Sequence, residues 1–118
     1  MIEMSIEKGM EENEYNKNIE YVQGKLTKRD ALEAFAEESS ELAKAALKLI
    51  RARKDSDNVT PTSLEQAKEN LEEEIADVLN VLSVYDDVDM DNIGGIMNEK
   101  ARRWAKRLGK GKEVIKES

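Results

Sequence analysis

The sequence predicts an all-α protein, a four-helix bundle completed by oligomerisation, and three observations carry that reading. The 118 residues include one proline and six glycines, too little turn chemistry for a sheet of many short strands. Apolar residues recur at helical spacing over long segments that open on serine or threonine caps. Hydrophobic residues make up 39% and aromatics 4%, against 38% charged, where about 25% charged is ordinary. Such thin apolar stripes on a small chain predict that further copies extend the core.

Residues 1–12 are polar and aperiodic, and are expected to form a flexible N-terminal segment. A first helix is predicted from Asn13 to Gln23, with Tyr15, Ile19 and Val22 on one side and Gly24 ending it. Thr27, followed three residues later by Asp30, resembles a capping box. The helix it opens runs through Leu32, Phe35, Leu42, Ala45, Ala46, Leu49 and Ile50 to about Arg53. Lys54 to Thr62 holds Asp-Ser-Asp-Asn and the only proline, Pro61, and reads as a loop. Ser63 with Gln66 makes a second capping box, for a helix from Leu64 to about Tyr85. After the acidic turn Asp86-Asp87-Val88-Asp89, a fourth helix spans Met90 to Leu108, with Gly94 and Gly95 weakening it or permitting close packing. The reading is one helical domain over 13–108 and a flexible tail over 109–118.

Composition removes whole classes of chemistry. Without cysteine there are no disulfides, zinc-thiolate sites, iron–sulfur clusters or thiol nucleophiles. Without histidine there is no Ser-His-Asp triad, no His-ligated zinc and no di-iron bundle built on Glu-x-x-His. Chemistry is left to carboxylates, amines, hydroxyls and hard metal ions. Met1 to Glu12 lacks the basic-then-apolar layout of a signal peptide, and no apolar run approaches the ~20 residues of a membrane span. A cytoplasmic protein with no membrane partner is expected. Net charge is −7, split between −12 over residues 1–98 and +5 over residues 99–118. A small basic end on an acidic body is a poor footprint for nucleic acid and suits one compact anion better.

A helix turns by about 100° per residue. Measured from Glu38, Leu42, Ala45 and Leu49 lie within about 40° to either side. Phe35 lies about 60° away in the positive sense, and Glu41 about 60° away in the negative sense. Measured from Glu74, Val78, Val81 and Tyr85 again fall within about 40°, and Asp77 about 60° away in the negative sense. Four acids therefore sit on or beside the stripes that face the core. The two segments echo each other at an offset of 36: Ala31, Phe35, Glu38, Glu41, Leu42, Ala46 and Leu49 match Ala67, Leu71, Glu74, Asp77, Val78, Leu82 and Tyr85. Converging carboxylates are pushed toward protonation unless a partner balances them. All-oxygen ligands suit Mg²⁺, with Mn²⁺ as the alternative. The competing reading leaves them at the stripe's edge, in water or beside lysines.

On the fourth helix, Ile93, Ile96, Met97, Trp104, Arg103 and Arg107 all lie within about 60° of Lys100. Cations sharing an arc with apolar residues suit polyphosphate oxygens. The alternative is a solvated last turn whose charges favour the helix dipole.

The motifs Glu37-Glu38-Ser39-Ser40-Glu41 and Glu74-Ile75-Ala76-Asp77, followed by Lys100-Ala101-Arg102-Arg103 and Trp104, resemble those of the MazG-like all-α NTP pyrophosphatase superfamily. The likeness covers about Ala31 to Leu108. One departure is the 32 residues between Glu41 and Glu74, more than compact MazG domains carry, which implies an enlarged loop around 54–62. The resemblance implies a bundle of the all-α NTP pyrophosphatase type, a homodimer or homotetramer. It implies hydrolysis of a nucleoside triphosphate, NTP or dNTP, to the monophosphate and pyrophosphate, as in nucleotide house-cleaning. Glu38, Glu41, Glu74 and Asp77 would hold Mg²⁺. Glu37 would be an outer ligand or accept the water's proton, beside Glu38. Lys100 and Arg103 would bind phosphate. Trp104, Phe35 or Tyr85 would stack a base and Asn80 would read its edge, although core packing is the commoner role of such aromatics and a plain helix surface the commoner one of such an asparagine. A phosphoribosyl-ATP or dUTP pyrophosphohydrolase is a neighbouring alternative; a non-catalytic helical interaction module is one from another class.

Overall fold

Three of the four described helices begin where a side chain accepts from an otherwise unpaired backbone N–H; the first, which follows Glu11, has no side-chain cap. In the computed structural model, which describes residues 9–53 and 63–110, four helices follow one another: α1 Glu12–Lys25, α2 Lys28–Ala52, α3 Leu64–Val84 and α4 Met90–Arg107. No strand occurs among the described residues. Thr27 Oγ1 accepts from the Asp30 backbone N–H at 3.0 Å, and the Asp30 carboxylate accepts from the Thr27 N–H at 3.1 Å, a complete capping box. Ser63 Oγ accepts from the Gln66 N–H at 3.0 Å, and Asp89 Oδ1 from the Asn92 N–H at 3.1 Å. Such caps contribute about 1 kcal/mol each.

One boundary differs from expectation. Gly24 does not stop α1, which continues to Lys25 and closes with the Leu26 N–H on the Val22 carbonyl. A single glycine weakens a helix by about 1 kcal/mol and does not break it. Helix α4 runs through Gly94 and Gly95 as expected, and an added Cβ at either would meet nothing within 4 Å. Gly109, with φ of 103°, takes the left-handed conformation that follows the last turn of α4. The expected flexible segments largely lie outside the described residues, as do the enlarged loop over 54–62 and the tail beyond Lys110.

The described residues fall into two compact units divided between Asp86 and Asp87. In the first, α2 and α3 pack along one another and α1 rests on α3. Thr27 and Ala31, early in α2, share a cavity of about 200 Å³ with Val84 and Tyr85 at the end of α3, so the two helices run antiparallel. Gln23 of α1 donates through Nε2 to the carbonyls of Ser83 and Val84 at 3.2 and 3.3 Å, satisfying acceptors at the end of α3 that have no helical partner.

The core of this unit is small-residue packing: Ala31, Ala45 and Ala67 are its buried apolar residues. The echo at 36 residues holds in part: Glu41 and Ala46 are exposed where their counterparts Asp77 and Leu82 are half-buried, and the other pairs agree. Ala31 and Ala67 are both buried; Phe35 and Leu71, Leu42 and Val78, and Leu49 and Tyr85 are all half-buried. Even the caps Thr27 and Ser63 stand 36 apart. Two copies of one pattern face each other, which brings their acids to the same level. The second unit contributes α4.

Candidate metal centre

Three of the four acids expected on the inward arcs meet. Glu38 from α2 and Glu74 and Asp77 from α3 each place one carboxylate oxygen within 4.8 Å of the others, and all three are half-buried. Glu74 Oε2 is cut off from solvent and has no hydrogen-bond partner. That oxygen has lost its water and gained nothing in return, a costly arrangement for a carboxylate.

Electrostatics follow from the geometry. Burial raises the pKa of Glu38 above 4.5, helped by the charges of Asp77, Glu41 and Glu37 and by a hydrogen bond with Asp77. Burial likewise raises Glu74, with Asp77, Glu38, Glu41 and Glu73 adding their charges. Both shifts have the sign expected of crowded carboxylates short of cations.

The group suits a hard cation on two counts. All donors are carboxylate oxygens, the ligands of Mg²⁺, and Glu74 Oε2 is a buried acceptor wanting a partner.

The remaining expected residues divide. Glu41 is exposed and takes Lys44 Nζ at 3.4 Å, so its carboxylate stands beside the group rather than in it, though its charge still reaches both glutamates. Glu37 is exposed, next in sequence to Glu38. Asn80 is tied within the chain: its Oδ1 accepts from the Tyr15 hydroxyl at 2.7 Å, with Ser83 Oγ as that hydroxyl's second neighbour at 3.4 Å. The structure gives Asn80 the work of fastening α1 to α3. Phe35 and Tyr85 are half-buried in the helix packing.

In the second unit, Lys100, Arg103, Trp104 and Arg107 share a face of α4 with Met97, as the wheel places them. Trp104 is exposed. Glu99 was missed as a participant: it pairs with Arg102 and approaches Arg103 Nε at 3.9 Å. Its position three and four residues ahead of those arginines is the signal that reveals it. Tyr15 and Gln23 left no such trace, since their partners lie at least 60 residues away.

No family model, curated protein or solved structure matches this chain. Among the described residues, no helix is long and apolar enough to cross a membrane.

Proposed function

We propose that this chain is a Mg²⁺-dependent nucleoside triphosphate pyrophosphohydrolase, converting NTP or dNTP and water to the monophosphate and pyrophosphate. The observation that carries the reading is the buried, unpartnered Glu74 Oε2 within an all-carboxylate group drawn from two helices. Mn²⁺ is the alternative ion, and the MazG-like resemblance supplies the reaction.

Glu38, Glu74 and Asp77 would hold the cation, and Glu41, released from Lys44, completes the set. Bound there, Mg²⁺ supplies charge neutralisation for the polyphosphate and polarises the phosphoryl group. Glu38 and Glu74 are harder to ionise than ordinary glutamates, and a cation's charge would offset that. Glu37, exposed beside Glu38, accepts the proton of the attacking water. Lys100 and Arg103 carry charge suited to phosphate oxygens, and Arg107 shares their face. Trp104 offers an exposed ring for a base. Water's oxygen joins one phosphorus as the bridging oxygen between the α and β phosphates leaves, so two phosphorylated products form. The enzyme acts as a homodimer or homotetramer in the cytoplasm.

The test is product analysis over a panel of nucleotides that includes dUTP and phosphoribosyl-ATP, with Mg²⁺ and with chelator. Pyrophosphate released only with the cation supports the reading. Orthophosphate, or no turnover on any nucleotide, overturns it. A second reading, a non-catalytic helical interaction module, is favoured by the exposure of Trp104, Met97 and Leu108. Under it, Glu38→Gln and Asp77→Asn leave function intact.

A further inference from the structure

More negative charge surrounds the acid group than its three meeting oxygens carry. Glu37 and Glu41 on α2, and Glu73 and Asp77 on α3, lie about 60° to about 100° away in the negative sense from Glu38 and Glu74 on their own helices. Because the helices are antiparallel, the same sense on both means the same side of the pair. The charges of Glu41 and Asp77 weigh on both Glu38 and Glu74, and those of Glu37 and Glu73 on one each.

Lys44 is set against this margin. Its Nζ lies 3.4 Å from Glu41 Oε1, one turn back along α2. A long side chain in a helix leans toward the turn before it, and that is where Glu41 stands. The pair acts in two ways. It offsets a charge that weighs on Glu38 and Glu74, which favours the acid group in the absence of an ion. It also keeps the Glu41 carboxylate beside the group rather than in it, so a cation that draws Glu41 inward must first part it from Lys44.

We propose that Lys44 is a positioning residue that holds Glu41 back from the acid group and so sets the concentration of divalent cation at which the group closes. This role rests on the metal-binding reading of the acid group and adds the residue that opposes binding. Lys48 supplies the contrast. It is exposed on the same margin, about 80° from Glu38 in the negative sense, and takes no part in the Glu41 pair.

The experiment is binding of Mn²⁺, an ion that oxygen donors also take, to the full chain, with the free ion read by its electron paramagnetic resonance signal. Glu41, Lys44 and Lys48 are all exposed, so their substitution spares the helix packing. Lys44→Gln should tighten Mn²⁺ about two- to fivefold, the scale of an exposed ion pair, and Lys44→Arg should keep the wild-type affinity. Lys48→Gln should change affinity less. In a Glu41→Gln background, Lys44→Gln should change nothing, because the side chain it positions has lost its charge. A wild type that binds no Mn²⁺ overturns the metal reading and the role of Lys44 together. Wild-type binding that Lys44→Gln leaves unaltered or weakens overturns the role of Lys44 alone. Equal tightening by Lys44→Gln and Lys48→Gln, or tightening that persists with Glu41→Gln, also overturns it, and assigns the effect to the general field of the lysines.

Discussion

The acidic pair α2–α3 and the basic helix α4 follow the same sequence rule with opposite outcomes. Both place charges on an apolar arc, which predicts that the charges face inward. In α2–α3 a second helix packs against that arc, and Glu38, Glu74 and Asp77 are pressed together with one oxygen unpartnered. In α4 the same arrangement leaves Trp104 and Met97 exposed, while Glu99, on the helix itself, answers Arg102 and Arg103. The arc says where a charge starts. In α2–α3 it is the packed neighbour that strands it.

Stranded charge should carry the chemistry, and that contrast can be broken most decisively by activity. Glu74→Gln is expected to lower pyrophosphate release by about 10²–10³-fold, the scale on which removal of one electrostatic stabiliser is felt. Lys100→Ala, removing a solvated charge, should cost less and act mainly on KM. Equal losses from the two, in steady-state kinetics, would erase the distinction between the regions.

Next in size is the response to Mg²⁺. At a hundredfold excess over Kd, a ligand that binds only the native state stabilises it by about 2.7 kcal/mol. Melting of the wild type should rise accordingly, and Glu74→Gln should abolish the rise. Lys100→Ala should keep it in full. A melting curve indifferent to chelator would leave the acid group without an ion.

The glycines of α4 sharpen the comparison from the other side. An added Cβ at Gly94 or Gly95 meets open space, so alanine there should stabilise by about 0.5–1 kcal/mol through helix propensity alone. Chemical denaturation measures it. Loss of stability instead would mean that this face of α4 is covered in solution.

The helices and the acid group were legible because both depend on local periodicity. Thr27 and Ser63 announce their helices, and the regular rotation of a helix places Glu38 and Glu74 without knowledge of the fold. Glu41 shows the limit: at the margin of the arc, it was free to swing to Lys44, one turn along, and rotation alone cannot separate a margin from a centre. Asn80 shows another. Its partner, Tyr15, is set by how α1 comes to rest on α3, a tertiary choice that no spacing within α3 encodes. The family likeness rests on the same motifs, and nothing beyond them enlarges it.

The smallest effect separates the regions by pH, and its sign follows from the raised carboxylates. Glu38 and Glu74 bind protons more readily in the fold than in the unfolded chain. Their contribution to stability is therefore present in full below their unfolded value of 4.5, and is lost as pH rises through the higher folded value. In chelator at neutral pH the wild type should melt below Glu74→Gln, which has no charge to strand. On acidification Glu74 takes up its proton in the fold, the wild type recovers, and the gap closes. For Glu99→Gln the gap at neutral pH should have the opposite sign: its carboxylate is answered by arginines on its own helix, so its removal should cost stability. If the gap between wild type and Glu74→Gln stayed constant from neutral to acid, the destabilisation would be one of shape, and the crowding of charge between α2 and α3 would not be its cause.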